Sequence, residues 1–302
     1  MQFDLNEDQR IFFDALGAML DAPEAGFHAA AGWARFEWAA GLDTQLETSG
    51  YYDVGAEPDF GAVTAAEMVY RLARLPVVVE GAASALLRPW LGEDLPRPLA
   101  VCTNERALRF LPVARTVIRF EGKNVSSALL DGEIAPIESL FAFPTGHLPD
   151  ALNWKKLDCD AAQMAVHWRV ALAAEIAGNL SGALESVLEH VRMRHQFGRP
   201  LGSFQGVQHR LATASVKIEG ARFLALGAAQ TLDPVDAATA LGYAQNIAAT
   251  ICYDLHQFMG AMGLTLEHPL HRWTYRARAL RASLGGPSAS LAEAARRRWL
   301  EA

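Results

Sequence analysis

The chain predicts a mainly helical protein with a small β-sheet set in its middle. Three observations point there. Amphipathic helical stripes occupy the first part of the chain and return for its last part. Between them lie short runs rich in Val, Ile, Phe and Thr, broken by Gly, Pro or Asn. At 302 residues, with 51% apolar and 20% charged residues, the chain has enough apolar material for two or three units packed as one body. The expected division is an N-terminal helical domain over 1–95, a reduced middle β-domain over 96–158 and a C-terminal four-helix bundle over 159–302.

Asn6, with Gln9 three residues later, gives a capping-box start, and Ile11, Phe12, Ala15, Leu16 and Met19 then form an apolar face. A second helix is expected between Pro23 and Ala40, a third over Phe60–Leu75 ended by Pro76, and a short one over Glu80–Leu87 before Pro89. From Pro96 the runs PLAVCT, ALRFLPV, RTVIRFEG, NVSSALLDG and APIESLFAF read as about five strands of a small antiparallel sheet within 97–157. From Asp160 the stripe Leu172, Ile176, Leu180, Leu184, Val187, Val191 marks a core-facing helix over Ala161–Arg194, roughly 50 Å long at 1.5 Å per residue. Gly178 and Gly182, four apart on it, let another helix approach closely. The run Val207, Leu211, Ala214, Ile218, Ala221, Ala225 predicts an antiparallel partner, and Pro234–Met259, His268–Ala282 and Ser288–Leu300 complete the bundle.

The formal charge of -7 argues against nonspecific nucleic-acid binding, which calls for a basic face. No apolar run is long enough for a membrane span, and the N-terminus is polar and acidic, so a cytoplasmic protein is expected. Cys102, Cys159 and Cys252 lie far apart and read as small, reduced core residues.

Two stretches carry chemistry. The first is Arg194-His195-Gln196-Phe197-Gly198, followed by Pro200, Phe204, Gln205, Gln208 and Leu211. The second, about sixty residues on, is Gln257-Phe258-Met259-Gly260-Ala261-Met262-Gly263-Leu264-Thr265. A guanidinium offers a fork that matches phosphate oxygens, an aromatic face suits an adenine or flavin ring, and a glycine lets backbone come close to a ligand. Read alone, Arg194 is also an ordinary cation near a helix C-terminus and Phe197 an ordinary turn residue. Taken together and in this order, the two stretches resemble the signatures of the acyl-CoA dehydrogenase family, Arg-x-x-Phe-Gly…Phe-Gln…Gln…Leu and Gln-x-x-Gly-Gly-x-Gly-x-Thr, with Ala261 in place of one glycine. The resemblance implies FAD as cofactor. It also implies that Arg194, Gln196, Phe197, Gln257 and Gly260 reach across a subunit interface to a flavin seated mainly on the neighbouring chain.

In that family a carboxylate removes the α-proton of an acyl-CoA thioester while the β-hydrogen leaves as hydride to the flavin. Its carboxylate stands either in the loop before the last helix or on the first long bundle helix. The first position falls here on Gly285, within Ser283-Leu284-Gly285-Gly286-Pro287, or on Gly286 with a shift of one; the second falls on Trp168, twenty-nine residues before Phe197 and followed by Arg169. Neither is a carboxylate. The family's flavin-facing runs of the sheet domain also lack a counterpart, and Cys102-Thr103-Asn104-Glu105 does not match the first of them. Some bacterial members that act on steroid side chains are α2β2 heterotetramers in which one subunit is shortened and keeps only the trans contacts. This sequence resembles that shortened partner. The resemblance then implies a homologous catalytic subunit as partner, with the acyl-CoA substrate on the partner's side and no activity from this chain alone.

Other residues admit other readings. Glu175, two helical turns after Trp168, is either a displaced base of a self-sufficient dehydrogenase or a buried or interface carboxylate. Glu267, His268 and His271 suggest a metal only until Pro269 interrupts the spacing. Arg272, Arg276, Arg278 and Arg281 read as a solvated basic face of one helix, or as a CoA-phosphate contact. A flavin-free helical scaffold is the reading from another class.

Overall fold

The computed structural model describes residues 5–21, 36–138 and 143–300. Helices α1 (Glu7–Asp21), α2 (Ala40–Thr48), α3 (Gly61–Ala73) and α4 (Ala82–Leu86) come first. Strands β1 (Leu99–Cys102), β2 (Ala107–Arg109), β3 (Thr116–Glu121), β4 (Asn124–Leu129), β5 (Thr145–His147) and β6 (Lys155–Lys156) follow. The chain then forms α5 (Ala161–Met193), the hairpin β7 (His195–Gln196) and β8 (Arg199–Pro200), and helices α6 (Gln205–Thr231), α7 (Pro234–Met259), α8 (Leu270–Ala282) and α9 (Gly286–Trp299).

The local signals act as the sequence implies. Asn6 and Gln9 exchange reciprocal bonds, Gln9 N–H to Asn6 Oδ1 at 2.8 Å and Asn6 N–H to Gln9 Oε1 at 3.0 Å. Asp160 caps α5 and Asp233 caps α7, each accepting two backbone N–H bonds. The second expected helix lies largely outside the described residues, in 22–35. Its described end is not helical: Trp38 forms a bridge with Val78, and the next helix starts only at Ala40. The strand expected in APIESLFAF falls partly on 139–142, outside the described residues, and Pro136 makes only an isolated bridge to Gly146. The main sheet runs β1-β3-β4-β6, and one of its pairings, β1 with β3, is parallel, because the β2 excursion returns the chain in the same direction. Strands β2 and β5 form a separate antiparallel pair.

One core runs through the helices. Helix α3 lies directly on α5 at the two glycines: a Cβ on Gly178 would stand 2.0 Å from the Tyr70 carbonyl oxygen, and one on Gly182 2.2 Å from that of Arg74. Tyr70 donates to Ser181 at 3.0 Å and the Trp273 indole donates to the Arg74 carbonyl at 3.0 Å, so α3, α5 and α8 meet there. The sheet is tied to the first helices by Arg97, which binds Asp43 and the Glu80 carbonyl and lies 3.6 Å over the Tyr52 ring. Burial pushes the Glu80 carboxyl up to about 7, against the pull of Arg97.

The basic run on α8 is not a solvated face. Arg272 and Arg276 are 2% and 4% exposed. Arg276 donates to the carbonyls of Leu75 (2.6 Å) and Val77 (3.2 Å), and Arg272 to Pro76 (2.9 Å). These carbonyls belong to the non-helical segment just after α3, and the arginines satisfy them. Arg278 and Arg281 are the exposed members.

Candidate functional site

The two signatures arrive at one end of the bundle. Helices α5, α6 and α7 run up, down and up, so the end of α5, the start of α6 and the end of α7 are neighbours. The link between the last two is Arg210 of α6, which forms an ion pair with Asp254 and lies 4.8 Å from the Phe258 ring.

The hairpin after α5 is a two-residue turn. His195 pairs with Pro200 and Gln196 with Arg199, leaving Phe197 and Gly198 as the loop, both at positive φ (55° and 79°). Phe197 therefore sits in the left-handed region, 89% exposed, with its ring edge-on to that of Phe204 at 6.1 Å between centroids. The Arg194 backbone is fixed, its N–H bound to His190 O and its carbonyl accepting from Leu201, each at 2.8 Å. Its guanidinium is exposed and has no ion pair among the described residues. Gln196 and Gln257 are exposed as well. Gly260 caps α7 at φ 61°, and nothing lies within 4 Å of where its side chain would be. No hydrogen bond joins Arg194, Gln196 or Phe197 to Gln257 or Gly260 among the described residues; they share an end of the bundle rather than a contact. A free guanidinium, two amides, an open aromatic face and an uncovered glycine can together receive a phosphate-bearing ring compound.

The other candidate positions lie in a separate place, between sheet and bundle. Trp168 of α5 and the turn before α9 line one cleft of about 230 Å³, with Val101, Thr103, Glu105, Arg109 and Thr145 facing them from the strands. At that turn the residues lining the cleft are Ser283 and Leu284, the latter at φ 53°, and Gly285 (φ 82°) faces Ala289 instead. So of the two sequence-identified base positions only Trp168 lines the cleft; Gly285 lies just past it, and Ser283 and Leu284 line it from that turn.

The carboxylates nearby are engaged. Glu175 takes a bidentate ion pair from Arg109, 2.5 Å to Nη1 and 2.8 Å to Nη2. The Arg109 guanidinium is hemmed by the rings of Phe143 (5.1 Å), Phe110 and Trp168 (5.5 Å each). Behind them, Glu175 and Arg276 line a crevice of about 20 Å³, room for about one water. Arg276 is wholly buried; burial holds its guanidinium down to about 9, with Glu175 opposing. At the rim, partial burial of Glu105 would raise its pKa, but bonds from the Asn104 N–H (2.9 Å) and the Thr103 hydroxyl outweigh this and lower it. A cleft of this size, closed behind by an ion pair, is below the roughly 300–1,000 Å³ of ligand pockets and does not fit a flavin ring.

Sequence reasoning missed Arg109, Leu284 and Glu105. Only Glu105 carried a signal, through its place in Cys102–Glu105. Glu267 is exposed, His268 bonds Ser186 and His271 donates to His268 O. The three cysteines are free thiols, and no helix among the described residues is long and apolar enough to cross a membrane.

The description "Acyl-CoA dehydrogenase, C-terminal domain" matches residues 160–300. The acyl-CoA dehydrogenase IpdE2 of Mycobacterium tuberculosis is 37% identical over 108 residues, 36% of this chain and 34% of that protein, so the match spans about a third of the relative's length. The whole chain shares its fold with a chain of the ChsE4-ChsE5 complex from Mycobacterium tuberculosis (TM-score 0.75, 20% identity, 99% of each chain covered). It shares it also with a Tcur3481-Tcur3483 steroid ACAD variant (TM-score 0.67, 21% identity, 95% and 94% covered).

Proposed function

The chain belongs to the acyl-CoA dehydrogenase family, and we propose that it is the non-catalytic subunit of an FAD-dependent acyl-CoA dehydrogenase complex. In this reading its partner is a homologous catalytic chain in an α2β2 assembly, and the reaction is α,β-dehydrogenation of a bulky acyl-CoA such as a steroid side chain. Arg194, Gln196, Phe197, Gln257 and Gly260 hold the flavin seated on the partner, Arg194 at its phosphates and Phe197 against a ring. The flavin, when bound, accepts the hydride from the acyl β-carbon. No proton transfer is assigned to this chain.

One observation carries the reading. The cleft that Trp168 lines has Leu284, the residue before Gly285, on its other side and is backed by a Glu175 that Arg109 holds at both oxygens. A general base needs a free carboxylate within hydrogen-bond reach of its proton, and Glu175 is spoken for. That disfavours a self-sufficient dehydrogenase built on Glu175. The heteromeric and steroid elements draw support from two fold neighbours, one described as a two-protein complex and one as a steroid ACAD. The expected division at 1–95, 96–158 and 159–302 belongs to the same proposal.

The test is to produce the chain alone and with a longer homologous chain encoded beside it, then compare bound flavin, oligomeric state and acyl-CoA-dependent dye reduction. Flavin and activity should require both chains, and Arg194→Ala should lower flavin retention of the complex about tenfold while leaving the folded stability of this chain unchanged. Activity from the lone chain overturns the proposal, and absence of flavin from both preparations points to the scaffold reading.

A further inference from the structure

The bundle end that carries the two signatures also gathers four histidines, three on helices and one, His268, in the turn before α8. His190 lies in the last turn of α5, His256 in the last turn of α7, and His271 at the start of α8. They are joined by a run of contacts. The His256 ring lies against the turn after α7, where a Cβ on Gly263 would be 3.2 Å from Nδ1. His256 Nε2 is 3.0 Å from the Thr274 hydroxyl, which donates to His271 O. His271 Nδ1 is 2.9 Å from His268 O, and His268 Nε2 is 3.2 Å from Ser186 Oγ. The His268 ring stands 6.3 Å from that of His190, whose carbonyl holds the Arg194 N–H.

The hydrogen-bond partners fix the protonation state of the central ring. His268 Nδ1 accepts the Leu270 N–H at 3.2 Å, so that nitrogen carries a lone pair and the ring is neutral. The charges that weigh on these rings are cationic or potentially so: His190 and His271 act on His268, His271 on His256, and Arg194 on His190. The acidic groups nearby face elsewhere or are taken. Glu267 and Glu189 are exposed, Glu185 pairs with Arg74, and Glu37 pairs with Arg272 of the same α8 turn.

We propose that His256, His268 and His271, with Thr274 and Ser186, are positioning residues: a clasp, neutral at His268, that fixes the Gly260–Leu264 turn to the last turns of α5 and that acid opens. The clasp matters to a flavin only through the function proposed above, but the fixing is a property of this chain alone. Burial pushes the His268 imidazole down to about 4, with His190 and His271 adding to it, and burial also lowers His256, the Gly263 main chain pulling the other way. An imidazole ordinarily titrates near 6.5, so the opened form binds protons more tightly than the closed one. The closed form is therefore fully favoured above about 6.5 and loses ground as pH falls toward 4.

Amide hydrogen exchange of the full chain, without flavin, tests this. Between pH 7.5 and 5 the protection factors of the Gly260–Leu264 turn and of the last turn of α5, His190–Arg194, should fall together, on the order of 30-fold for the His268 shift alone. Amides at the α3–α5 contact around Gly178 should keep theirs, which shows that the chain is still folded. His268→Asn retains an acceptor for the Leu270 N–H and cannot gain charge; it should stay protected and flat across the range. His268→Lys carries the charge throughout and should be open at pH 7.5. A fall confined to one of the two segments overturns the clasp, as does an undiminished fall in His268→Asn. Since no flavin enters, failure here leaves the proposed function standing, and failure to find flavin in a complex leaves the clasp standing.

Discussion

The two ends of α5 have opposite characters. Along its inner part, Trp168, Glu175, Gly178 and Gly182 are all packed or ion-paired by their own chain. At its outer end, Arg194 has no ion-pair partner among the described residues and Phe197 stands 89% exposed on a left-handed backbone. The inner part is packed in the lone chain, leaves beside it only a cleft of about 230 Å³, and has its carboxylate, Glu175, held by Arg109. The outer end is incomplete, since strain and exposure there bring the lone chain no packing in return. In the proposed reading, function is concentrated where the chain's own structure leaves groups unsatisfied.

The strongest way to break that contrast is at the inner glycines. Gly178→Ala places a carbon 2.0 Å from the Tyr70 carbonyl, where neither helix backbone can give way cheaply. A loss of about 3 kcal/mol or more is expected in urea unfolding. A variant as stable as the parent would mean that α3 is not seated on α5 in this way, and the inner region would regain room for a ligand.

Next in size is Glu175. Its removal leaves Arg109 facing only rings and Arg276 buried without its nearest anion. Glu175→Ala should cost about 2 kcal/mol, less than a fully dry pair because the side chains of Arg109 and Glu175 are 18% and 11% exposed. Glu175→Gln in the assembled enzyme should leave the rate of acyl-CoA-dependent dye reduction within about twofold. A collapse of that rate would make Glu175 the base after all and erase the difference between the two ends.

How much of this was legible follows the range of each interaction. The long helices, the Asn6 capping box and the close approach at Gly178 and Gly182 are local or periodic, and the sequence carries them directly. The burial of Arg272 and Arg276 was hidden because a run of charge has the same composition whether it faces water or the carbonyls of Leu75 and Val77. Arg109 and Glu175 are sixty-six residues apart, and nothing local marks them as a pair. Leu284 reaches the cleft because its backbone is left-handed, a property of the turn that Leu284-Gly285-Gly286 does not announce. The exposed signatures were legible as residues, but their shared bundle end became visible only when the helices were assembled.

The smallest effect is the most discriminating. A phenylalanine at φ 55° carries about 1–2 kcal/mol of backbone strain, and glycine there removes it while adding roughly 0.5–1 kcal/mol of unfolded-state entropy. Phe197→Gly should therefore stabilise the lone chain by about 0.5 kcal/mol, read as a small rise in melting temperature. In the complex the same substitution removes the exposed ring and should lower flavin retention about tenfold, so the two measurements move in opposite directions. If Phe197→Gly instead destabilises the lone chain by more than about 1 kcal/mol, the edge contact with Phe204 is what keeps the ring in place. Phe197 would then belong to the packing of its own subunit, like Trp168 at the other end of the helix.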